Sequence, residues 1–192
     1  MDIDFDEIER RLAALERRRI DDPSLVNAAV LVPMFRWEGK VHLLMVKRTE
    51  SVEHHKGQVA FPGGICEPDD DGPVATALRE AEEEIGIEPG RVKVLGIFHD
   101  TATITGFRIT PVVGVVPYPY PFEPNPAEVA KLLRVPFDLF GNDELRKTNM
   151  VDIGGDRLQV DFYPFEDDTI WGASARIAGE LYGFCKQEGG RR

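Results

Sequence analysis

Between Phe61 and Ile87 the chain reads Phe-Pro-Gly-Gly, then an acidic loop, then Arg79-Glu80-Ala81-Glu82-Glu83-Glu84-Ile85-Gly86-Ile87. This stretch constrains the fold more than any other. Val74, Leu78, Ala81 and Ile85 recur at spacings of four, three and four, the period of a helix. At about 100° per residue they fall within roughly 60° of one another. Glu80, Glu83 and Glu84 fall on the other side, within an arc of roughly 100°. One face is thus made to pack and the other to gather carboxylates. Pro73 suits the first helical turn, and Gly86 suits the left-handed residue that ends a helix.

Carboxylates at i, i+3 and i+4 repel by a few tenths of a kcal/mol per pair on an isolated helix. Either water solvates that face or a divalent cation neutralises it. Hard cations such as Mg²⁺ take oxygen ligands and accept several from substrate phosphates. Two features favour the cation. Arg79 lies one turn before Glu83 and can hold its carboxylate, and Gly63-Gly64 allow close backbone approach to a ligand.

Gly64, Arg79-Glu80, Glu83-Glu84, Gly86 and Ile87 resemble the Nudix box of the Nudix hydrolases. The usual box places a Glu six residues after its glycine and the Arg eight residues later. Here the six-residue step lands on Asp70 and Arg79 lies nine further on, so the acidic loop is one residue longer than usual. Glu67, Asp69, Asp70 and Asp71 are all candidates for the loop acid. Leu43-Leu44, Arg48, Gly57-Gln58 and Phe61-Pro62-Gly63-Gly64 are similar to the upstream signature of the coenzyme A pyrophosphatase branch. That signature has a basic residue five after the strand Arg, where this chain has Glu53. Thr105-Gly106-Phe107, Thr110 to Gly114, Asn125-Pro126 with Glu128-Val129, and Ile170-Trp171-Gly172 with Ala175 extend the likeness over most of residues 26–182.

The resemblance implies an α/β/α sandwich with a mixed sheet. It implies metal-assisted attack of water on a pyrophosphate, with Mg²⁺ or Mn²⁺ as cofactor. Glu80, Glu83 and Glu84 would be metal ligands, Arg79 their orienter, and these four the catalytic set. Lys47, Arg48, Lys56, Gly57, Gln58, Gly63 and Gly64 would bind substrate, with Arg108 a further candidate cation. The general base is open among Glu83, Glu166 and a loop Asp. The implied substrate is coenzyme A or a thioester of it. Pyrophosphatases for NADH, ADP-ribose or a nucleoside triphosphate, and a non-catalytic binding domain, are the alternatives.

A chain of 192 residues with net charge −11 has no basic field for nucleic acid, which leaves small phosphorylated ligands. Its partner is expected to be a small nucleotide. Two cysteines make no disulfide framework, and no apolar run reaches the roughly 18 residues of a membrane span, so a cytoplasmic protein is expected. One domain is expected over 1–192, with an N-terminal helix in 1–20 and a core over 26–187.

The remaining elements follow from periodicity and turn residues. Residues 4–19 read as an amphipathic helix with stripe Phe5, Ile8, Leu12 and Leu15, closed by the cationic Arg17-Arg18-Arg19. Ala28–Val32 and Val41–Val46 read as strands joined at Trp37-Glu38-Gly39-Lys40. His54 and His55, beside Lys56, read as loop histidines. Arg91–Phe98 and Phe107–Val116 read as strands, and Pro111 argues for an edge or bulge in the second. The proline-rich 118–126 is extended, 128–135 is open between strand and helix, and Pro136 opens a short helix. Gly154-Gly155 marks a hairpin, and Trp171–Lys186 is a helix with Ile177, Leu181 and Phe184 inward.

Overall fold

The computed structural model describes residues 3–50, 56–153 and 156–187. Strands β1 (Val26–Trp37) and β2 (Lys40–Arg48) form a hairpin. Its turn is Glu38-Gly39, with φ of 51° and 75°, the tight primed type that matches strand twist. The two strands part beyond the Met34–Leu43 pair. Two short strands fill the fork: β3 (Val59–Ala60) pairs with β2, and β4 (Gly63–Ile65) pairs with β1. The Phe-Pro-Gly-Gly run is thereby held inside the sheet, and Leu31 N–H donates to Pro62 O at 2.9 Å.

β5 (Lys93–Ile97), β6 (Thr101–Ala102), β7 (Phe107–Val115) and β8 (Val129–Pro136) complete a mixed sheet of eight strands among the described residues. Its main path runs β3-β2-β1-β7-β5, with β1 and β7 parallel and β8 flanking β2. Helix α2 (Gly72–Ile85) covers one face, packing Ala77, Ala81 and Ile85 on Ala29, Leu31 and Val112. Helices α1 (Phe5–Ala13) and α3 (Gly172–Lys186) cover the other, with Ile8, Leu12, Ile177 and Leu181 against Met34, Leu43 and Val113. Each such fully buried aliphatic side chain contributes about 1.5–3 kcal/mol. Both sheet faces are covered, which is why β1 and β2 are nearly continuous apolar runs rather than alternating ones. The expected α/β/α sandwich is the fold. A second sheet of β9 (Lys147–Ile153), β10 (Asp156–Phe165) and β11 (Asp168–Trp171) sends Tyr163 and Ile170 into the same core as α3.

Several expectations change. The N-terminal helix stops at Ala13, short of Arg17-Arg18-Arg19. Arg17 and Arg18 take tertiary partners instead: Arg17 pairs with Asp100 and Arg18 with Glu180. β7 is not an edge strand. Pro111 O accepts from Phe98 N–H, so the missing N–H of Pro111 falls on that same side, in the gap between β5 and β6. Residues 128–135 resolve into β8, and Pro136 is followed by a 3-10 turn over Phe137–Gly141. The Gly154-Gly155 turn lies outside the described residues, while its flanking strands pair as a hairpin.

Candidate active site

Two glycines set the geometry, for different reasons. A Cβ on Gly63 would stand 2.4 Å from the carbonyl oxygen of Ala29, so only glycine lets β4 lie this close to β1. A Cβ on Gly64 would stand 2.4 Å from Glu80 Oε1, so Gly64 leaves the space into which that carboxylate reaches.

Arg79 ties loop, strand and helix together. Its Nε and Nη2 donate to the two oxygens of Asp70, each at 3.0 Å, a bidentate pair. Nη2 also reaches Ile65 O at 3.2 Å, and Nη1 donates to Glu80 at 2.9 Å and Glu83 at 3.4 Å. Asp70 accepts further from Glu67 N–H and Thr76 Oγ1, and these partners, Arg79 foremost, hold its carboxyl far below the usual range. Of the four open loop acids, Asp70 is therefore the one that fastens the loop to α2. Glu67 stands 4.0 Å from Arg79.

The helical period puts Glu84 on the acidic face, yet only 1% of it is exposed. The fork between β1 and β2 closes over that side of α2. Its Oε1 accepts from Arg48 at 2.9 Å and its Oε2 from Gly63 N–H at 3.2 Å. Burial pushes its carboxyl up to about 7, against the pull of Arg48 and the Gly63 N–H, with Glu128 and Glu80 pushing the same way as burial. Glu80 is also raised, by burial first and against Arg79, with Glu83 and Glu128 adding to the rise. The Glu83 side chain is 57% exposed. Burial disfavours the charged forms of Glu80 and Glu84, and a hard divalent cation beside them, under a Gly-Gly cradle, would relieve that cost. Among the described residues no three His, Cys, Asp or Glu side chains are grouped so as to hold a metal ion by themselves. An open site completed by phosphate oxygens fits this donor set.

Residues 25–151 match the NUDIX domain family. The chain belongs to the Nudix family. It is similar to the uncharacterised Nudix hydrolase NudL of Photorhabdus laumondii, at 40% identity over 157 residues, covering 81% of this chain and 82% of that one. It is also similar to NudL of Escherichia coli K12, at 38% identity, covering 81% and 80%. In structure it is similar to the MutT protein of Methanosarcina mazei, with TM-score 0.54 at 16% identity, covering 91% of this chain and 99% of that one. As a Nudix protein it is a pyrophosphohydrolase, a class that generally needs divalent ions such as Mg²⁺ or Mn²⁺.

The Nudix carboxylates come together with Arg79, Arg48, Gly63 and Gly64. The other residues expected at the substrate do not join them. Lys47 lies on the opposite sheet face from Arg48, 2.6 Å from Asp168 Oδ1. Lys56 is exposed, while Gly57 and Gln58 lead into β3, where Gln58 O accepts from Arg48 N–H. Glu53, His54 and His55 lie outside the described residues. Glu166 bonds Lys131 of β8 at 2.6 Å rather than a residue of α2. Glu128 joins the site as well. It stands 3.8 Å from Arg48 and acts electrostatically on both Glu80 and Glu84. Its one signal in sequence is the Asn125-Pro126-x-Glu128 likeness; in space, Asn125 N–H on Glu84 O fixes that loop to the end of α2. No helix of the described residues is long and apolar enough to cross a membrane.

Proposed function

We propose that this Nudix protein hydrolyses the pyrophosphate of coenzyme A or its thioesters, giving adenosine 3′,5′-bisphosphate and a phosphopantetheine, in the cytoplasm. The observation that supports a working site is the buried Glu84 held between Arg48 and the Gly63 N–H, beside Glu80 and Glu83. Glu80, Glu83 and Glu84 would hold Mg²⁺ or Mn²⁺. A bound divalent ion supplies charge neutralisation of phosphate oxygens and a water of lowered pKa. Arg79 fixes Glu80 and Glu83 in rotamer, and Arg48 fixes Glu84. Gly63 lets β4 lie against β1 with its N–H on Glu84, and Gly64 leaves room for the Glu80 carboxylate.

The substrate rests on the Gly57-Gln58 and Phe61-Pro62-Gly63-Gly64 run and on Thr110 to Gly114, which resemble the coenzyme A branch. The ribose 3′-phosphate of coenzyme A needs cations, and exposed Lys56 is one. A panel of coenzyme A, dephospho-coenzyme A, NADH, ADP-ribose and nucleoside triphosphates, with products separated by chromatography, tests the reading. Coenzyme A is expected to show the highest kcat/KM. Lys56→Ala should narrow its lead over dephospho-coenzyme A, and so should salt, which screens exposed pairs over about 8 Å. Preference for ADP-ribose over both would end the coenzyme A reading and leave the Nudix chemistry standing.

A further inference from the structure

On the α2 face of the sheet, beyond the Asp70–Arg79 pair, lies a cleft of about 490 Å³. Its floor carries Arg108 and Thr110 of β7, Pro73 and Thr76 of α2 stand on one side, and Arg17 and Arg19 on the other. Arg17 and Arg19 precede residue 25, where the Nudix match begins, so this chain's N-terminal segment builds one wall.

The charges in the cleft do not balance. Asp100 is matched by Arg17 at 2.5 Å, and Asp70 by Arg79. Arg19 is exposed and has no partner among the described residues. Arg108 gives Nη1 to Ile20 O at 2.6 Å, leaving Nε and Nη2 without an acceptor among the described residues. Arg17 Nε is buried with no hydrogen-bond partner. In a chain of net charge −11, two unmatched guanidinium groups beside a third with an unsatisfied donor form a local anion trap. The volume exceeds that of a bare phosphate and is in the range of small-molecule sites. Ile97 and Ala28 supply apolar wall for an organic body.

We propose that this cleft binds a phosphomonoester, its phosphate held by Arg19 and Arg108 with the charge of Arg17 behind them. The Asp70–Arg79 pair separates it from the carboxylates of the active site, and Thr76 Oγ1, which lines the cleft, hydrogen-bonds Asp70. The phosphate belongs either to a distal group of the substrate or to a separate small molecule.

The test is calorimetric titration of the full chain, in EDTA, with inorganic phosphate and with glycerol 3-phosphate. Saturable binding near the millimolar range is expected, tighter for glycerol 3-phosphate. Arg19→Ala should weaken it about tenfold, the worth of one charge-assisted contact, with an unchanged melting temperature. Arg108→Gln should weaken it similarly, and Arg91→Ala, in the turn before β5 and outside the cleft lining, should not. Absence of saturable binding, or equal weakening by Arg91→Ala, overturns the proposal. Kinetics of the variant with coenzyme A and dephospho-coenzyme A then separate the sources. A rise in KM for coenzyme A alone assigns the phosphate to the substrate; unchanged KM for both, with glycerol 3-phosphate binding lost, assigns it to a separate molecule. The titration needs no turnover, so its outcome is independent of the substrate reading.

Discussion

Glu84 is the residue on which the chemistry turns, because it is both buried and ionisable. Its folded value of about 7 lies above the ordinary 4.5, so between those values the folded chain binds more protons than the unfolded one. The metal-free protein should therefore lose stability from this group as pH rises through that window, and Glu84→Gln should remove that part of the slope. Thermal melts in EDTA across the window check the sign; identical slopes for the two proteins would contradict it. A cation competes with the same proton, so Mg²⁺ affinity should rise with pH up to about 7 and binding should release protons, which calorimetry in buffers of different ionisation enthalpy reads. Glu83→Gln and Glu84→Gln should each lower kcat by about 10²-fold through lost charge at the ion. Glu83→Gln should leave the melting temperature nearly unchanged, since that side chain is 57% exposed. Near-normal turnover of both variants at saturating Mg²⁺ would remove them from the site.

At the scale of elements, the fork between β1 and β2 makes the site, and the adjacent glycines report on it separately. Gly63→Ala puts a methyl against the backbone of β1, which cannot retreat without breaking the pairing. It should cost about 2–4 kcal/mol of stability. Gly64→Ala meets first the end of the Glu80 side chain. It should leave the fold largely intact and instead displace Glu80, lowering activity by about tenfold or more. Urea unfolding beside steady-state kinetics separates the two; equal loss of stability in both would mean that Gly64 also serves the strand.

Over the whole molecule, the segment after α1 is fastened across the ends of β5, β6 and β7. Asp100, 2% exposed, accepts from Arg17, from Ile20 N–H and from Thr110, and Arg108 holds Ile20 O. Burial pushes the Asp100 carboxyl up, and these donors pull it below its ordinary value, so its contribution to stability is present near neutral pH and is lost as pH falls. Asp100→Asn should destabilise the chain by about 2–4 kcal/mol, because it leaves Arg17 part-buried without its counter-charge. A melting temperature within a degree or so of wild type would show that the segment is only loosely attached.

The sequence alone determined what depends on near neighbours. Helix α2 was legible from end to end, because its apolar period, its early proline and its left-handed Gly86 are local signals. The hairpin at Glu38-Gly39 and the Arg79–Glu83 pair one helical turn apart were legible for the same reason. Tertiary structure decided what depends on distant partners. Asp70 became the loop's clasp because folding brought it against Arg79, although spacing left four acids open. Glu84 left the solvated face because Arg48, 36 residues away in the chain, and Gly63 enclosed it. Arg17 and Arg18 pair beyond the helix end with Asp100 and Glu180. Each is an ion pair or hydrogen bond whose partner is remote in sequence, and local periodicity carries no record of it.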